Sequence, residues 1–213
     1  MLPGTAVAAF LGSCLSAFYV VNLYNLAKSH RAERGSIQEA EVKAPSGPIF
    51  ALAAFGTLLF FAESTVCVLL VLLGSQGLLG DSLLQLHFPY DSVVQTAGLF
   101  LTATGYFLFA WSVVARGRFS TSWEMRENHK LVTWGPYHCI RYPAYAAYFI
   151  LFAGLFLTLL NMAAAIPLLA IPGYAAITRS EEELLTRRFG EAYTQYQQAT
   201  GRFLPRLKKR KTA

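Results

Sequence analysis

The 213-residue chain reads as an all-α integral membrane protein: about five transmembrane helices in one domain, closed on the cytoplasmic side by a C-terminal helical lid. Three observations predict this. Only 14% of the residues are charged, against about a quarter in an ordinary soluble domain, while 54% are hydrophobic. Apolar runs recur at the length of about 20 helical residues that crosses a hydrocarbon core. All 18 Lys and Arg fall in three segments that alternate with segments holding none. Aromatic residues at 14% argue against disorder, and three cysteines without paired spacing, Cys14, Cys67 and Cys139, argue against a disulfide scaffold.

The first crossing is expected from Leu2 to Ala27. Ala6-Val7-Ala8 resembles a cleavage site, but no basic residue precedes it and the apolar run continues past it, so a retained helix is predicted. A second run extends from Pro48 to roughly Gly80, and contains a single acid, Glu63. An intramembrane carboxyl is a functional candidate by default, although a neutral Glu facing other helices is the plainer expectation. The third run, Ser92 to Ala115, ends against Arg116. From Tyr142 to Thr178 there is no charge at all, a length that at 1.5 Å per residue exceeds one crossing and predicts a hairpin of two helices with its tip at Asn161.

The basic residues orient this array. Segments 28–43, 116–141 and 179–211 hold 4, 5 and 9 Lys and Arg, whereas the loop 74–91 and the Asn161 tip hold none. The positive-inside rule then puts the N-terminus outside and the C-terminus in the cytoplasm. A net charge of +6 is therefore a matter of topology, no nucleic acid is expected as partner, and the tail Lys208-Lys209-Arg210-Lys211 suits anionic membrane lipid.

Two cytoplasmic segments carry chemistry. In His129 to Tyr145 the Gly135-Pro136 pair forces a turn and Pro143 fits the first turn of the next helix, which gathers Tyr137, Arg141 and Tyr145 at its cytoplasmic end. After the hairpin come Arg179 and the acids Glu181, Glu182 and Glu183. An amphipathic helix follows with Leu185, Phe189, Tyr193 and Tyr196 on one face, ended by Gly201 and Pro205. Together these make a small polar chamber at the interface. Interfacial anchoring would also explain the Tyr, Trp and Arg. No glycine-rich phosphate loop, C-x-x-C metal spacing or G-x-S-x-G elbow supports a hydrolase or metalloenzyme.

At these residues the sequence resembles the isoprenylcysteine carboxyl methyltransferase family, whose pattern is H-x-L-V-x-x-G-x-Y-x-x-x-R-H-P-x-Y, then E-E-x-x-L-x-x-x-F-G-x-x-Y-x-x-Y after a hairpin. His129, Leu131, Val132, Gly135, Tyr137, Arg141, Pro143 and Tyr145 match the first part. Glu181, Glu182, Leu185, Phe189, Gly190, Tyr193, Tyr196 and Pro205 match the second, so the resemblance runs from about Phe119 to Pro205. It divides the domain into three N-terminal helices, 1–115, and a methyltransferase core, 116–213. Three positions depart from the family: Tyr142 replaces the usual His, Ala147 a usual Gly, and Ile177 the Arg that contacts substrate in eukaryotic members, with Arg179 the nearest substitute.

The resemblance implies transfer of a methyl group from S-adenosyl-L-methionine to an apolar or prenylated acceptor that arrives from the bilayer, most simply the carboxylate of an isoprenylcysteine. The membrane would be the cytoplasmic one in a prokaryote or that of the endoplasmic reticulum in a eukaryote. The cofactor positions carried over are His129, Lys130, Leu131, Val132, Gly135, Tyr137, Tyr142, Pro143, Ala144, Tyr145 and Glu181. Arg179 and Arg141, with Glu182 beside them, are the candidates for orienting an anionic acceptor, Arg141 having a structural pair with Glu181 or Glu182 as its alternative. An NADPH-dependent reductase of the sterol reductase type and a non-catalytic scaffold are the competing readings.

Overall fold

A computed structural model describes residues 1–33, 41–42, 47–75, 77, 84–117, 124–125 and 130–206. Its helices in chain order are α1 (Gly4–Glu33), α2 (Pro48–Leu72), α3 (Asp91–Arg116), α4 (Pro143–Leu159), α5 (Ala170–Phe189) and α6 (Glu191–Ala199), with 3-10 segments at Gly135–His138 and Met162–Leu169. The expected crossings correspond to α1, α2, α3, α4 and the Met162–Phe189 arm, and four of these are long and apolar enough to span a membrane; the fifth, α4, has 17 residues. A short ribbon, β1 (Glu41–Val42) antiparallel to β2 (Glu124–Met125), is the one departure from an all-helical chain among the described residues. His129, Ser36, Ser82 and the basic tail from Lys208 lie outside the described residues.

Apolar residues are spaced all around these helices rather than along one stripe, as expected where lipid is the outer solvent: Leu58, Leu72, Phe100 and Phe107 are exposed as fully as a soluble protein would expose lysines. The core lies where α1, α2, α3 and α4 meet, around Leu11, Phe60, Tyr106, Leu151, Phe152 and Leu155. Small residues set the closest approach, between α3 and α4. A Cβ on Gly98 would stand 2.4 Å from the Thr158 nitrogen, and one on Gly154 would stand 2.5 Å from the Thr102 hydroxyl. Glu63 projects from α2 with Oε2 buried and without a hydrogen-bond partner among the described residues.

The hairpin tip is at Leu160-Asn161: Leu160 takes φ +50, and the Asn161 side chain accepts from the Ala163 nitrogen at 2.9 Å. The loop after α2 reaches it, with Leu86 N–H donating to Leu160 at 2.7 Å and Met162 N–H to Leu84 at 3.0 Å. Turn backbone at membrane depth is thereby satisfied within the protein, and the two loops free of basic residues share one end of the molecule.

Two expectations need correction. The second run does not continue as helix to Gly80: α2 stops at Leu72, and Gly74 at φ +71 follows. The amphipathic stretch is not one separate helix either. α5 carries Arg179 to Phe189 straight out of the hairpin, and Gly190, at φ +55 and ψ −125, breaks the chain before α6. Only glycine adopts that conformation without strain. The hairpin's second arm also starts as a 3-10 segment containing Pro167, whose missing N–H is less costly in short-period winding than inside an α-helix.

A chamber between the hairpin and the C-terminal strap

At the end of the molecule opposite the Asn161 tip, the 3-10 turn Gly135–His138, the start of α4, the outer part of α5 and α6 enclose a chamber. Gly135 makes the turn: it sits at φ +60, and a Cβ there would press on Ala115 at 3.0 Å. The turn therefore docks on the end of α3, where the Trp134 indole donates to the Ala115 carbonyl at 2.9 Å. Pro136 and Tyr137 are buried behind it.

Glu181 reaches the chamber from α5 and is almost wholly buried. Its Oε1 accepts from the Tyr145 hydroxyl at 2.8 Å. Tyr142 stacks on Tyr145 with ring centroids 5.6 Å apart and planes 6° from parallel, and its hydroxyl donates to the Thr178 carbonyl at 3.3 Å. The residue that departs from the family's histidine thus supplies a flat aromatic wall. Ala147, the second departure, is fully buried on the α4 face opposite Gly105, where a side chain is absent. Ile177, the third, is buried as an ordinary apolar residue.

The opposite wall comes from the C-terminal region. Tyr193 and Tyr196 of α6 line the chamber, and the Tyr196 hydroxyl donates to the Tyr137 carbonyl at 2.6 Å. Burial pushes the Tyr193 hydroxyl up to about 12, against the opposing influence of the neighbouring Tyr142 hydroxyl, so this wall is uncharged at any physiological pH. Beyond α6 the chain runs as a strap beside the segment preceding α4: Arg141 N–H donates to Gly201 at 2.9 Å and Tyr142 N–H to Arg202 at 3.0 Å. Glu182 ties the strap down. It accepts from Arg141 Nε at 3.0 Å and Nη2 at 2.9 Å, and is also paired with Arg202. Arg141 Nη1 adds bonds to the Gln197 and Thr200 carbonyls at 3.1 and 2.7 Å.

Of the expected cofactor positions, Lys130, Leu131, Val132, Tyr137, Tyr142, Ala144, Tyr145 and Glu181 line this one chamber. Gly135 and Pro143 stand behind the wall as turn and helix start, and His129 is outside the described residues. Arg141 lines the chamber while bonded to Glu182, so the structural pair is present; Glu182 itself, on α5, is off the lining and anchors the strap through Arg202. Arg179 is exposed and off the chamber. Sequence reasoning missed Arg116, a lining residue at the end of α3, because a basic residue closing an apolar run reads as a topology signal.

Comparison with known proteins adds three findings. Residues 93–192 match the family model described as phospholipid methyltransferase. The nickel-cobalt-cadmium resistance protein NccN of Alcaligenes xylosoxydans xylosoxydans is 38% identical over 84 residues, which takes in 38% of this chain and 39% of that protein's length. The fold is similar to the structure of the eukaryotic intramembrane Ras methyltransferase, isoprenylcysteine carboxyl methyltransferase, with a TM-score of 0.51 and 20% identity, covering 96% of this chain and 68% of that one. The resemblance drawn from the two sequence motifs is borne out by the family match, and the multi-pass helical architecture by the shared fold.

Proposed function

We propose that this chain, a multi-pass membrane protein with the family segment and fold of membrane methyltransferases, transfers a methyl group from S-adenosylmethionine to an apolar, lipid-linked acceptor bearing an anionic oxygen or sulfur. The observation that carries the reading is the convergence of eight positions, drawn from two segments about 40 residues apart, on a single chamber where one buried carboxylate faces aromatic walls.

The lining fits such a cofactor. A sulfonium and an ammonium are cations, and the faces of Tyr137, Tyr142 and Tyr145 with the Glu181 carboxylate make a cation-receptive surface. Glu181 Oε2 takes no hydrogen bond among the described residues, so it is placed to receive a donor from a ligand while Tyr145 fixes Oε1. The backbone of Leu131 and Val132 would hold polar ends, with His129 beside them by the family pattern. When bound, the cofactor supplies a methyl group on a positively charged sulfur, an electrophile that needs no acid to release a neutral thioether. The protein's task is then to hold an already charged acceptor in line and to keep water out, and positioning supplies most of the rate.

Arg141 spends four N–H bonds on Glu182, Gln197 and Thr200, and in this reading it is a positioning residue that seats the strap. Cofactor reaches the chamber from the cytoplasm beneath the strap, and the acceptor comes sideways from the bilayer past the hairpin. Calorimetric titration of the purified protein with S-adenosylhomocysteine and, separately, NADPH tests the proposal. Binding of the first alone is expected. Binding of NADPH instead would identify a reductase, and binding of neither a scaffold.

A further inference from the structure

We infer that Arg116 is the carboxylate receptor of the chamber, the cationic counterpart of Glu181; the inference rests on the methyltransferase reading above. Arg116 is the last residue of α3 and lines the chamber, with its guanidinium carbon 5.9 Å from the centre of the Tyr137 ring. It is partly buried, yet among the described residues no carboxylate comes within ion-pair distance of it. The other lining arginine, Arg141, already has its acid in Glu182. Lys130 also lines the chamber but is exposed to water. Among the described residues Glu181 is therefore the one acid on a lining that carries two further cations, and the more withdrawn of these is a guanidinium that has Tyr137 as its neighbour and feels the Glu181 charge, but has no carboxylate in ion-pair contact.

A guanidinium drawn away from water is costly unless an anion meets it, and its planar fork fits a carboxylate with two parallel bonds. With Glu181 nearby for a cation, Arg116 completes a surface of opposite charges on one chamber, the complement of a ligand carrying both. Two sources offer the carboxylate: the amino-acid end of the cofactor and the acidic end of an acceptor such as a prenylated cysteine. A purely structural role, as the cation that closes the C-terminal turn of α3, would move stability and neither affinity.

The test is calorimetric, on the full chain in detergent. S-adenosylhomocysteine is compared with its decarboxylated analogue, and then, on protein saturated with S-adenosylhomocysteine, N-acetyl-S-farnesylcysteine is compared with its amide. Arg116→Gln should weaken the carboxylate member of one pair by about tenfold to a hundredfold, the effect of one hydrogen-bonded charge, and leave the carboxylate-free member within about twofold. The first pair responding assigns the cofactor's carboxylate, the second the acceptor's. Arg116→Lys should recover part of the loss, and it is read in the same way should the Gln variant fail to fold. If neither pair distinguishes the variants from the unaltered protein, the inference is wrong while the methyltransferase reading stands. If the unaltered protein binds no S-adenosylhomocysteine, the reading falls and the inference with it.

Discussion

Glu181 and Glu182 are adjacent in sequence and opposite in task, because consecutive helical residues point about 100° apart. Glu181 faces the chamber with one hydrogen bond, from Tyr145, whereas Glu182 holds Arg202 of the strap together with Arg141 of the segment beside it. Glu181→Gln should weaken S-adenosylhomocysteine binding by about 1.5–3 kcal/mol, measured by titration, with the melting temperature of the free protein unchanged. Glu182→Gln should do the reverse first. It leaves Arg141, whose side chain is only 11% exposed, without its counter-charge, at a cost of about 3–5 kcal/mol of stability that thermal unfolding would register. Weaker ligand binding would follow as the strap loosens. The Glu-Glu pair was legible in the sequence, and so was the Tyr137–Tyr145 cluster, since both belong to motifs of fixed spacing. Which acid faced which way was not, because that depends on the rotation of α5 against α4, a tertiary quantity. Arg116 was illegible for a different reason: nothing local separates an arginine that ends a membrane helix from one that lines a site.

Among the elements, the crossings could be read from hydropathy because each had to be long and uncharged, and the Asn161 tip from the need to place a turn. The break at Gly190 was hidden, since the apolar spacing of Leu185, Phe189, Tyr193 and Tyr196 passes smoothly through it. Its φ of +55 would strain any other residue by about 1–2 kcal/mol, although nothing lies within 4 Å of an added Cβ. Gly190→Ala should therefore lower the melting temperature by strain alone and tilt α6 away from the chamber, reducing affinity for S-adenosylhomocysteine. Gly98→Val is the contrasting case. Its side chain would collide with the backbone at Leu157 and Thr158, so α3 and α4 must separate, and loss of the folded protein in detergent is expected.

At the scale of the molecule, the loops without basic residues meet at one end and the chamber sits at the other, as the charge distribution anticipates. Sidedness is directly measurable. With Cys14 and Cys67 changed to Ala, an impermeant thiol reagent should reach the exposed Cys139 only after the cells are opened. A cysteine placed at the exposed Tyr90 should react on intact cells. The reverse pattern would turn the protein over in its membrane.

The bonds between Arg141-Tyr142 and Gly201-Arg202 join positions about 60 residues apart, across the whole hairpin. Synthesis lays down Arg141 and Tyr142 first, then the hairpin, and only then Tyr193, Tyr196 and the strap. The ligand pocket therefore cannot close until the whole hairpin has been made. A released chain ending at Phe189 should behave as a membrane protein in every respect except recognition.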